Sequence, residues 1–404
     1  MHRLMTQACI GLGLLIPVCG SAQVEMNWSD TETLITKARL DGVEYEAVVD
    51  TGASTFTVTE AMAAKILTGR KSRPVSIGTL TGGRVGREYQ NIPMVAVGLP
   101  SRVGRVTTCA DLELDRISQI YGHDIRFLVG MPILKGCVLS FDNYRAVLTE
   151  TMPSLSGPHT EELLSFLHSE VPKCRSMVGA KHDMWLIVDT GCDAQINIDT
   201  TIADSLCAAG DAIRLLRKGE RGEGTSELIV IRELELFGTK HRNVPASIGR
   251  ANVVGFGLLR HMKFTLDFPN RRVLVPDPPQ AGLDWFPIDA SGLRVVRKED
   301  RITRIRRIVE NSTGDEAGVK VGDVIVAVNG TPALEFSRYA IEEQLSKAGT
   351  TVRLDLERDG KAFTIDVPLK HPFEYPPKWP PRPEPSKVQL DFEKFIEEQE
   401  PNRK

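Results

Sequence analysis

The sequence lacks an excess of positive charge and lacks the spacings that usually bind metal. Its 404 residues carry 50 Lys and Arg against 53 Asp and Glu, a formal net charge of −3. This balance gives no reason to expect nucleic acid or an anionic membrane as a partner. The seven cysteines form no Cys-x-x-Cys pair, and the eight histidines form no His-Glu-x-x-His motif. We therefore expect no metal site and no cofactor.

Cysteines are also too few to define a disulfide framework. Two of them, Cys9 and Cys19, lie near the N terminus, and five remain. An oxidising compartment would permit a Cys109–Cys137 or a Cys174–Cys207 bridge, and the sequence does not decide the connectivity. We expect Cys192 to be unpaired.

The apolar run near the N terminus, 8–18, is too short to span a membrane stably. Basic residues precede it and the small residues Gly20-Ser21-Ala22 follow it, so residues 1–22 are predicted to be an export signal. A buried first strand is the alternative. Lipid modification at Cys19 is a further one, although Val18 is bulky for that motif. We expect a periplasmic or secreted protein.

A short pattern occurs twice in the chain. It reads Val48-Val49-Asp50-Thr51-Gly52-Ala53-Ser54 and then Ile187-Val188-Asp189-Thr190-Gly191-Cys192-Asp193. Each copy lies between two apolar segments typical of strands, so each Asp is expected on a tight loop. Two carboxyl groups brought within hydrogen-bond distance cannot both ionise, so one can act as base while the other acts as acid.

On these motifs the sequence resembles the aspartic proteases. The resemblance implies a mainly β fold, with two related six-to-seven-strand acid-protease-like β-barrel lobes and a catalytic cleft between them. It implies that Asp50 and Asp189 are catalytic and activate a water that attacks a peptide carbonyl. It also implies that Thr51 and Thr190 hydrogen-bond across the pair, while Gly52 and Gly191 let the loops approach.

Two Gly-rich stretches lie at matching distances after these motifs. Gly82 is 32 residues after Asp50, and Gly222 is 33 residues after Asp189. Taken alone, each stretch is an ordinary turn. By resemblance to the retroviral enzymes, each is a flap that closes over an extended substrate. The predicted flap residues are Thr81, Gly82, Gly83, Gly222, Glu223 and Gly224.

A third repeat closes each half of the chain. Val129-Gly130 and Val254-Gly255 are offset by 125 residues, and similar apolar strands follow both. These repeats predict a first lobe at 23–150, a linker at 151–172 with a short helix over Glu161 to His168, and a second lobe at 173–276. The first half is longer, which predicts an insertion near Leu99 to Gly122.

Residues 282–370 have a different character and are similar to a PDZ domain, a small α+β fold. The resemblance rests on a strand at Ile302 to Val309, the following Gly-Asp turn at Gly322, and a hairpin turn at Asn329-Gly330. It implies that a peptide adds as a strand beside a helix at Arg338 to Ala348, with its carboxylate held by the loop that contains Ser291, Gly292 and Leu293. The alternative is a spacer or docking face. The tail 371–404 is Pro-rich and then charged.

The function predicted from these features is that of an exported aspartic endopeptidase acting on peptides or unfolded proteins, with a PDZ domain that binds a peptide. We expect a monomer whose two lobes pair within one chain. A catalytically inactive peptide-binding scaffold is the alternative. A PDZ-bearing serine protease is rejected here because no Gly-x-Ser-Gly loop with His and Asp partners is visible.

Overall fold

A computed structural model describes most of the chain. The described residues are 23–27, 33–40, 42–79, 82–96, 102–109, 114, 118, 123–142, 145–167, 169–219, 225–279, 281–282, 290–297 and 302–371. The predicted export signal, the tail beyond residue 371 and much of the predicted insertion lie outside them. Among the helices of this described part, none is long and apolar enough to cross a membrane.

The first half of the chain folds into one seven-stranded sheet that curls on itself. Its strand order is β2-β3-β8-β4-β7-β6-β5, and β2 also pairs with β6. The elements are β2 (Ile35–Leu40), β3 (Val43–Val49), β4 (Phe56–Thr59), α1 (Glu60–Ile66), β5 (Ser72–Thr79), β6 (Gly82–Ala96), β7 (Arg102–Cys109), β8 (Ile125–Val129) and α2 (Met131–Leu134).

The second half repeats this arrangement strand for strand. Its order is β12-β13-β18-β14-β17-β16-β15, and β12 also pairs with β16. The elements are β12 (Lys173–Val178), β13 (His182–Asp189), β14 (Ile196–Asp199), α3 (Thr200–Ala209), β15 (Ala212–Lys218), β16 (Thr225–Leu236), β17 (Thr239–Gly249), β18 (Val253–Gly255) and α4 (Phe256–Leu259). The internal sequence repeat therefore corresponds to two structurally equivalent barrel-like lobes.

The first helix of each lobe begins at the same place and for the same reason. The Thr59 hydroxyl accepts a hydrogen bond from the Met62 amide at 3.1 Å, and the Asp199 carboxylate accepts one from the Ile202 amide at 3.0 Å. Such caps satisfy amides that the first helical turn leaves without a partner. The sequence pattern predicts a helical patch at Thr59 to Leu67, and α1 at Glu60–Ile66 confirms it.

A third sheet joins the two lobes. Its order is β1-β10-β9-β19-β20-β11, so the strands that follow α2 and α4 meet at its centre. Phe141 of β9 stacks on Phe264 of β19, with ring centroids 4.5 Å apart and planes 11° apart. The strands are β1 (Gln23–Asn27), β9 (Val138–Asp142), β10 (Arg145–Thr149), β11 (His159–Leu163), β19 (Lys263–Asp267) and β20 (Arg272–Pro276).

The helix predicted for Glu161 to His168 is wrong. Residues 161–163 belong to the edge strand β11, which pairs antiparallel with β20 from His159 opposite Pro276 to Leu163 opposite Arg272. Residues 164–167 are not helical either, and His168 lies outside the described residues. Pairing with β20 satisfies the backbone groups on one edge of β11, and Arg272 contacts Glu161 at 2.6 Å. The local helical pattern is outweighed by this sheet edge, which is distant in sequence.

The C-terminal part is a small domain with its own apolar core. Its elements are β21 (Leu293–Arg297), β22 (Thr303–Val309), α5 (Thr313–Glu316), β23 (Val324–Val328), β24 (Thr331–Pro332), a 3-10 turn (Ala333–Glu335), α6 (Arg338–Leu345), β25 (Thr351–Arg358) and β26 (Lys361–Pro368). The predicted hairpin turn is confirmed, because Asn329 and Gly330 have φ values of 51° and 80°. The helix ends at Leu345, three residues before the predicted end.

This small domain continues the sheet of the second lobe. Strand β22 pairs antiparallel with β15, with Arg217 opposite Val309 and Lys218 opposite Ile308. The Glu310 amide also donates to the Leu216 carbonyl at 2.8 Å. The strand that leads into the predicted second flap is therefore bonded to the C-terminal domain.

We expect Phe264→Ala to destabilise the protein by about 3–5 kcal/mol, because it removes a fully buried ring between the two lobes. Leu163→Ala is the control, since Leu163 lies in the same sheet but is 64% exposed, and it should cost less than about 0.5 kcal/mol. Denaturant unfolding of both variants measures the difference. A loss below 1 kcal/mol for Phe264→Ala would show that the central sheet does not join the lobes energetically.

Candidate active site

Parallel strand pairing fixes the position of both Asp-Thr-Gly loops. Strand β3 runs beside β8 with Val49 opposite Val129, and the Asp50 amide donates to the Val129 carbonyl at 3.0 Å. Strand β13 runs beside β18 in the same way, with Asp189 opposite Gly255. Each Asp therefore lies at the end of a strand that is hydrogen-bonded to a parallel neighbouring strand.

The two threonines bind the loops to each other through reciprocal hydrogen bonds. The Thr51 amide donates to the Thr190 hydroxyl oxygen at 3.1 Å, and the Thr190 amide donates to the Thr51 hydroxyl oxygen at 3.0 Å. Each hydroxyl then donates at 2.6 Å to a carbonyl of the opposite lobe, Thr51 to Val188 and Thr190 to Val49. Both threonines are fully buried, so this network fixes the loops rigidly.

The motif glycines are required because each one faces the carboxyl group of the other loop. A Cβ atom on Gly52 would lie 2.7 Å from Asp189 Oδ1, and one on Gly191 would lie 2.8 Å from Asp50 Oδ1. Real Cβ atoms do not approach that closely. Gly130 and Gly255 also allow a close approach, in their case to the backbone of the catalytic loops. A Cβ atom on Gly130 would collide with the Ala53 carbonyl, and one on Gly255 would collide with the Cys192 carbonyl.

Burial and mutual repulsion control the charge of the two carboxyl groups. Asp189 is 8% exposed, and the Gly191 amide donates to its Oδ1 at 2.8 Å. Burial raises the pKa of Asp50 well above its usual range, and the neighbouring Asp189 raises it further. Burial also raises the pKa of Asp189. Two carboxyl groups this close can share one proton, which provides an acid and a base side by side.

The predicted flap residues are only partly described. Gly82 and Gly83 lie at the start of β6, where β5 and β6 pair up to Thr79 opposite Gly82. Thr81, Gly222, Glu223 and Gly224 lie outside the described residues. On either side of the second stretch, β15 and β16 pair up to Lys218 opposite Thr225.

The predicted carboxylate-binding loop of the C-terminal domain is already bonded internally. Ser291 is fully buried, and its hydroxyl accepts a hydrogen bond from the Leu293 amide at 3.2 Å. Gly292 has φ +75°, and a Cβ there would collide with Ser312. The Ser291 amide also donates to the Leu345 carbonyl at 3.3 Å. The loop is therefore tightly constrained, and two of the amides expected to hold a carboxylate, those of Ser291 and Leu293, have protein partners.

Sequence reasoning missed one buried contact of the second catalytic loop. The Thr33 hydroxyl donates to the Thr190 carbonyl at 3.3 Å. Residue 33 precedes the first apolar strand and is not part of any repeat, so only the folded arrangement identifies it.

The bridges that the sequence left open are absent. Cys137, Cys174, Cys192 and Cys207 are all thiols, so neither Cys109–Cys137 nor Cys174–Cys207 is a disulfide. Cys174 lies inside the lobe on β12, where burial raises its pKa to about 12. In the described part of the chain, no cluster of His, Cys, Asp and Glu could hold a metal ion.

Comparison with known proteins identifies the C-terminal domain. Residues 304–358 match the PDZ domain family. The chain is 33% identical over 66 residues to the periplasmic serine endoprotease DegP of Salmonella typhimurium, and 34% identical over 65 residues to the periplasmic pH-dependent serine endoprotease DegQ of Escherichia coli. Each match covers 16% of this chain and 14% of the relative.

A Buchnera aphidicola protein named "Probable serine protease do-like" is 34% identical to the chain over 71 residues, which is 18% of this chain and 15% of that relative. The chain thus matches only about one seventh of the length of these relatives. The predicted PDZ domain is confirmed.

These relatives contradict the predicted function. The motifs predict an exported aspartic endopeptidase of retropepsin-like kinship and not a PDZ-bearing serine protease. Every relative named above is a serine endoprotease or serine protease, so the aspartyl protease and retropepsin-like assignments are corrected. Over the matched length, the chain is similar to serine endoproteases.

The raised pKa values predict how Asp50→Asn changes stability with pH. A carboxyl whose folded pKa is raised stabilises the fold fully below about pH 3.9, and this contribution is lost as the pH rises through the folded pKa. The Asn side chain of Asp50→Asn does not titrate, so the variant does not lose this stability as the pH rises. Its melting temperature relative to wild type should therefore be at least about 2 °C higher at pH 7 than at pH 4.

Thermal unfolding of wild type and variant at both pH values measures this difference. Asp142→Asn is the control, because the Asp142 side chain is 65% exposed and should show a smaller change. A relative melting temperature for Asp50→Asn that is unchanged or lower at pH 7 would contradict the buried pair.

Proposed function

We propose that this protein is a peptide hydrolase with Asp50 and Asp189 as its catalytic groups and a PDZ domain that binds peptides. The observation that carries the site is the reciprocal hydrogen bonding of Thr51 and Thr190. It holds two buried carboxyl groups side by side in one chain. The relatives' names support peptide hydrolysis in general, since each is a protease or endoprotease.

The chemistry follows from one shared proton. The ionised carboxylate accepts a proton from a water molecule as the water oxygen adds to the peptide carbonyl carbon. The protonated carboxyl donates to the carbonyl oxygen, so the adduct carries no net new charge. The carboxyl that took the water proton then donates it to the peptide nitrogen as the carbon–nitrogen bond breaks, and the other carboxylate takes back a hydroxyl proton of the adduct, which leaves a carboxylic acid and an amine. Burial strengthens both transfers, because no bulk water competes for the protons.

The remaining site and domain assignments belong to the same proposal. The hairpin tips around Gly82 and Gly222 close over an extended peptide, and the lobes at 23–150 and 173–276 supply one catalytic loop each. The PDZ domain at 282–370 binds or recruits a peptide segment. We further propose an exported, periplasmic location, which the printed names of DegP and DegQ support.

A serine-type hydrolase is the second candidate, favoured by the names of the relatives. The described part of the chain offers one Ser–His hydrogen bond for it, between the Ser205 hydroxyl and His182 Nε2 at 3.2 Å. That pair is exposed. The neighbouring Asp183 carboxylate is bound to Arg175, so the geometry supports this site less well than the buried carboxyl pair.

Either Asp50→Asn or Asp189→Asn should lower peptide hydrolysis at least about hundredfold, because each removes one half of an acid–base pair. Ser205→Ala is the matched control and should retain activity. The measurement is cleavage of an unbiased peptide mixture, followed by mass spectrometry. Activity within tenfold of wild type in either Asp variant, or inactivation by a serine-directed fluorophosphonate, would instead support the serine-type candidate.

We also propose that a single chain is the active unit. Both catalytic loops come from one polypeptide, and the connection through β11 makes their pairing intramolecular, at an effective concentration of about millimolar. A mixture of Asp50→Asn and Asp189→Asn chains should therefore stay inactive at all protein concentrations. Recovery of a substantial fraction of wild-type activity on mixing would show that lobes pair between chains.

A further inference from the structure

The two lobes have the same strand order but differ at one sheet edge. In the first lobe, β5 is the last strand of its sheet, and the described residues supply no strand beyond it. The equivalent strand of the second lobe, β15, pairs with β22 of the PDZ domain. Because β15 and β16 flank the predicted second flap, the PDZ domain makes the two lobes inequivalent at that place.

The outer part of the β15–β16 pair, residues 215–218 and 225–228, packs outside the main apolar core of the lobes. Five residues of these two strands belong to the main core, and all of them lie nearer the base of the pair: Ala212, Ile229, Ile231, Leu234 and Leu236. Leu228 belongs instead to a small separate cluster, against which Leu215 packs. The outer part is therefore not anchored in the main core.

The PDZ domain holds this outer part through its backbone. The Glu310 amide donates to the Leu216 carbonyl at 2.8 Å. Arg217 lies opposite Val309 on the paired strands, and Val309 is buried. A strand added at a sheet edge satisfies backbone groups that the edge would otherwise expose. Strand β22 therefore replaces, for β15, the support that the main core does not give.

Two carboxylates of the PDZ domain also contact Lys218, the last residue of β15. The Lys218 ammonium lies 3.7 Å from Glu310 and 3.5 Å from Asp315. The Asp315 carboxylate is itself oriented, because it accepts a hydrogen bond from the Asn311 amide at 3.0 Å. The Lys218 side chain is half exposed, so these ion pairs orient the end of the strand more than they stabilise the fold.

The contact between β15 and β22 lies beside the second catalytic loop. A cavity of about 110 Å³ is lined by Leu228 of β16, by Val309 of β22 and by residues 193–195. These last residues begin four positions after Asp189. The same PDZ strand therefore holds β15 and borders the space next to the catalytic loop.

We propose that the PDZ domain is a permanent structural support for the β15–β16 pair, and that β22 positions the outer part of this pair beside the second catalytic loop. Lys218 and Glu310 are positioning residues, and neither touches the reacting atoms. The PDZ domain thus forms part of the catalytic unit in addition to binding peptides. The role of β15 and β16 in holding a substrate rests on the proposed function, whereas the support itself does not.

Amide hydrogen exchange of the full chain, read by mass spectrometry of proteolytic fragments, tests the support without a substrate. Glu310→Pro removes both the amide that donates to Leu216 and the carboxylate near Lys218. Exchange in 212–218 should become at least about fivefold faster, because an interdomain hydrogen bond is lost. Exchange in 72–79, the equivalent strand of the first lobe, should not change. Glu316→Ala removes an exposed carboxylate of α5 and should change neither segment.

Hydrolysis of the peptide mixture tests the effect on the reaction. Glu310→Pro should raise KM at least about fivefold and leave kcat within about threefold of wild type. The reason is that the carboxyl pair is intact and only a wall that holds the peptide is displaced. A loss of kcat with unchanged KM would contradict this role.

A disulfide across the contact tests whether β15 and β22 stay paired during the reaction. Arg217 and Val309 lie directly opposite each other, so cysteines introduced at both positions can be joined. The oxidised form of Arg217→Cys/Val309→Cys should hydrolyse peptides at least as fast as its reduced form. Exchange in 212–218 should be at least about fivefold slower in the oxidised form. Peptide mapping verifies the bond.

The outcomes separate the support from the proposed function. Unchanged exchange in 212–218 of Glu310→Pro, with wild-type exchange in 351–358 of the PDZ domain, would overturn the support. Loss of hydrolysis on oxidation of the cysteine pair, restored by reduction, would also overturn it. If Glu310→Pro does not fold, equal exchange in the oxidised and reduced forms overturns it instead. Absence of hydrolysis by the wild-type chain would overturn the proposed function, and the exchange measurements would still decide the support.

Discussion

The close approach of two glycine-containing loops is the constraint on which the rest of the structure depends. Asp50 and Asp189 can lie together only because Gly52 and Gly191 present no side chain to the opposite carboxyl. The threonine hydrogen bonds then prevent the loops from separating. Two buried carboxyl groups repel each other when both are ionised, so the surrounding fold must supply the free energy that keeps them together.

Packing within and between the two equivalent lobes supplies that free energy. Both sheets have the same strand order, and both place a glycine of the apolar-apolar-Gly repeat beneath the catalytic loop. The central sheet adds strands from each lobe, with Phe141 on Phe264 at the junction. The two lobes are therefore held against each other both at the carboxyl pair and at the central sheet.

Short-range pattern and internal repetition made much of this fold predictable. The Asp-Thr-Gly copies and the constant offset of Gly130 and Gly255 predict two equivalent lobes, because a repeated sequence folds into a repeated unit. The strand at His159–Leu163 was not predictable, since its partner β20 lies more than a hundred residues away. The cavity between the second lobe and the C-terminal domain was not predictable for the same reason, because its lining residues include 193–195, 217, 228, 292–295, 306, 307 and 338.

The matches to the relatives are too short to include both members of the carboxyl pair. Asp50 and Asp189 are 139 residues apart, so no match of 65 to 71 residues can include both. The family match at 304–358 contains neither. Catalysis depends on groups that touch the reacting atoms, whereas a PDZ domain can serve enzymes of unrelated chemistry. The residues around positions 50 and 189 must therefore be tested directly for the chemistry.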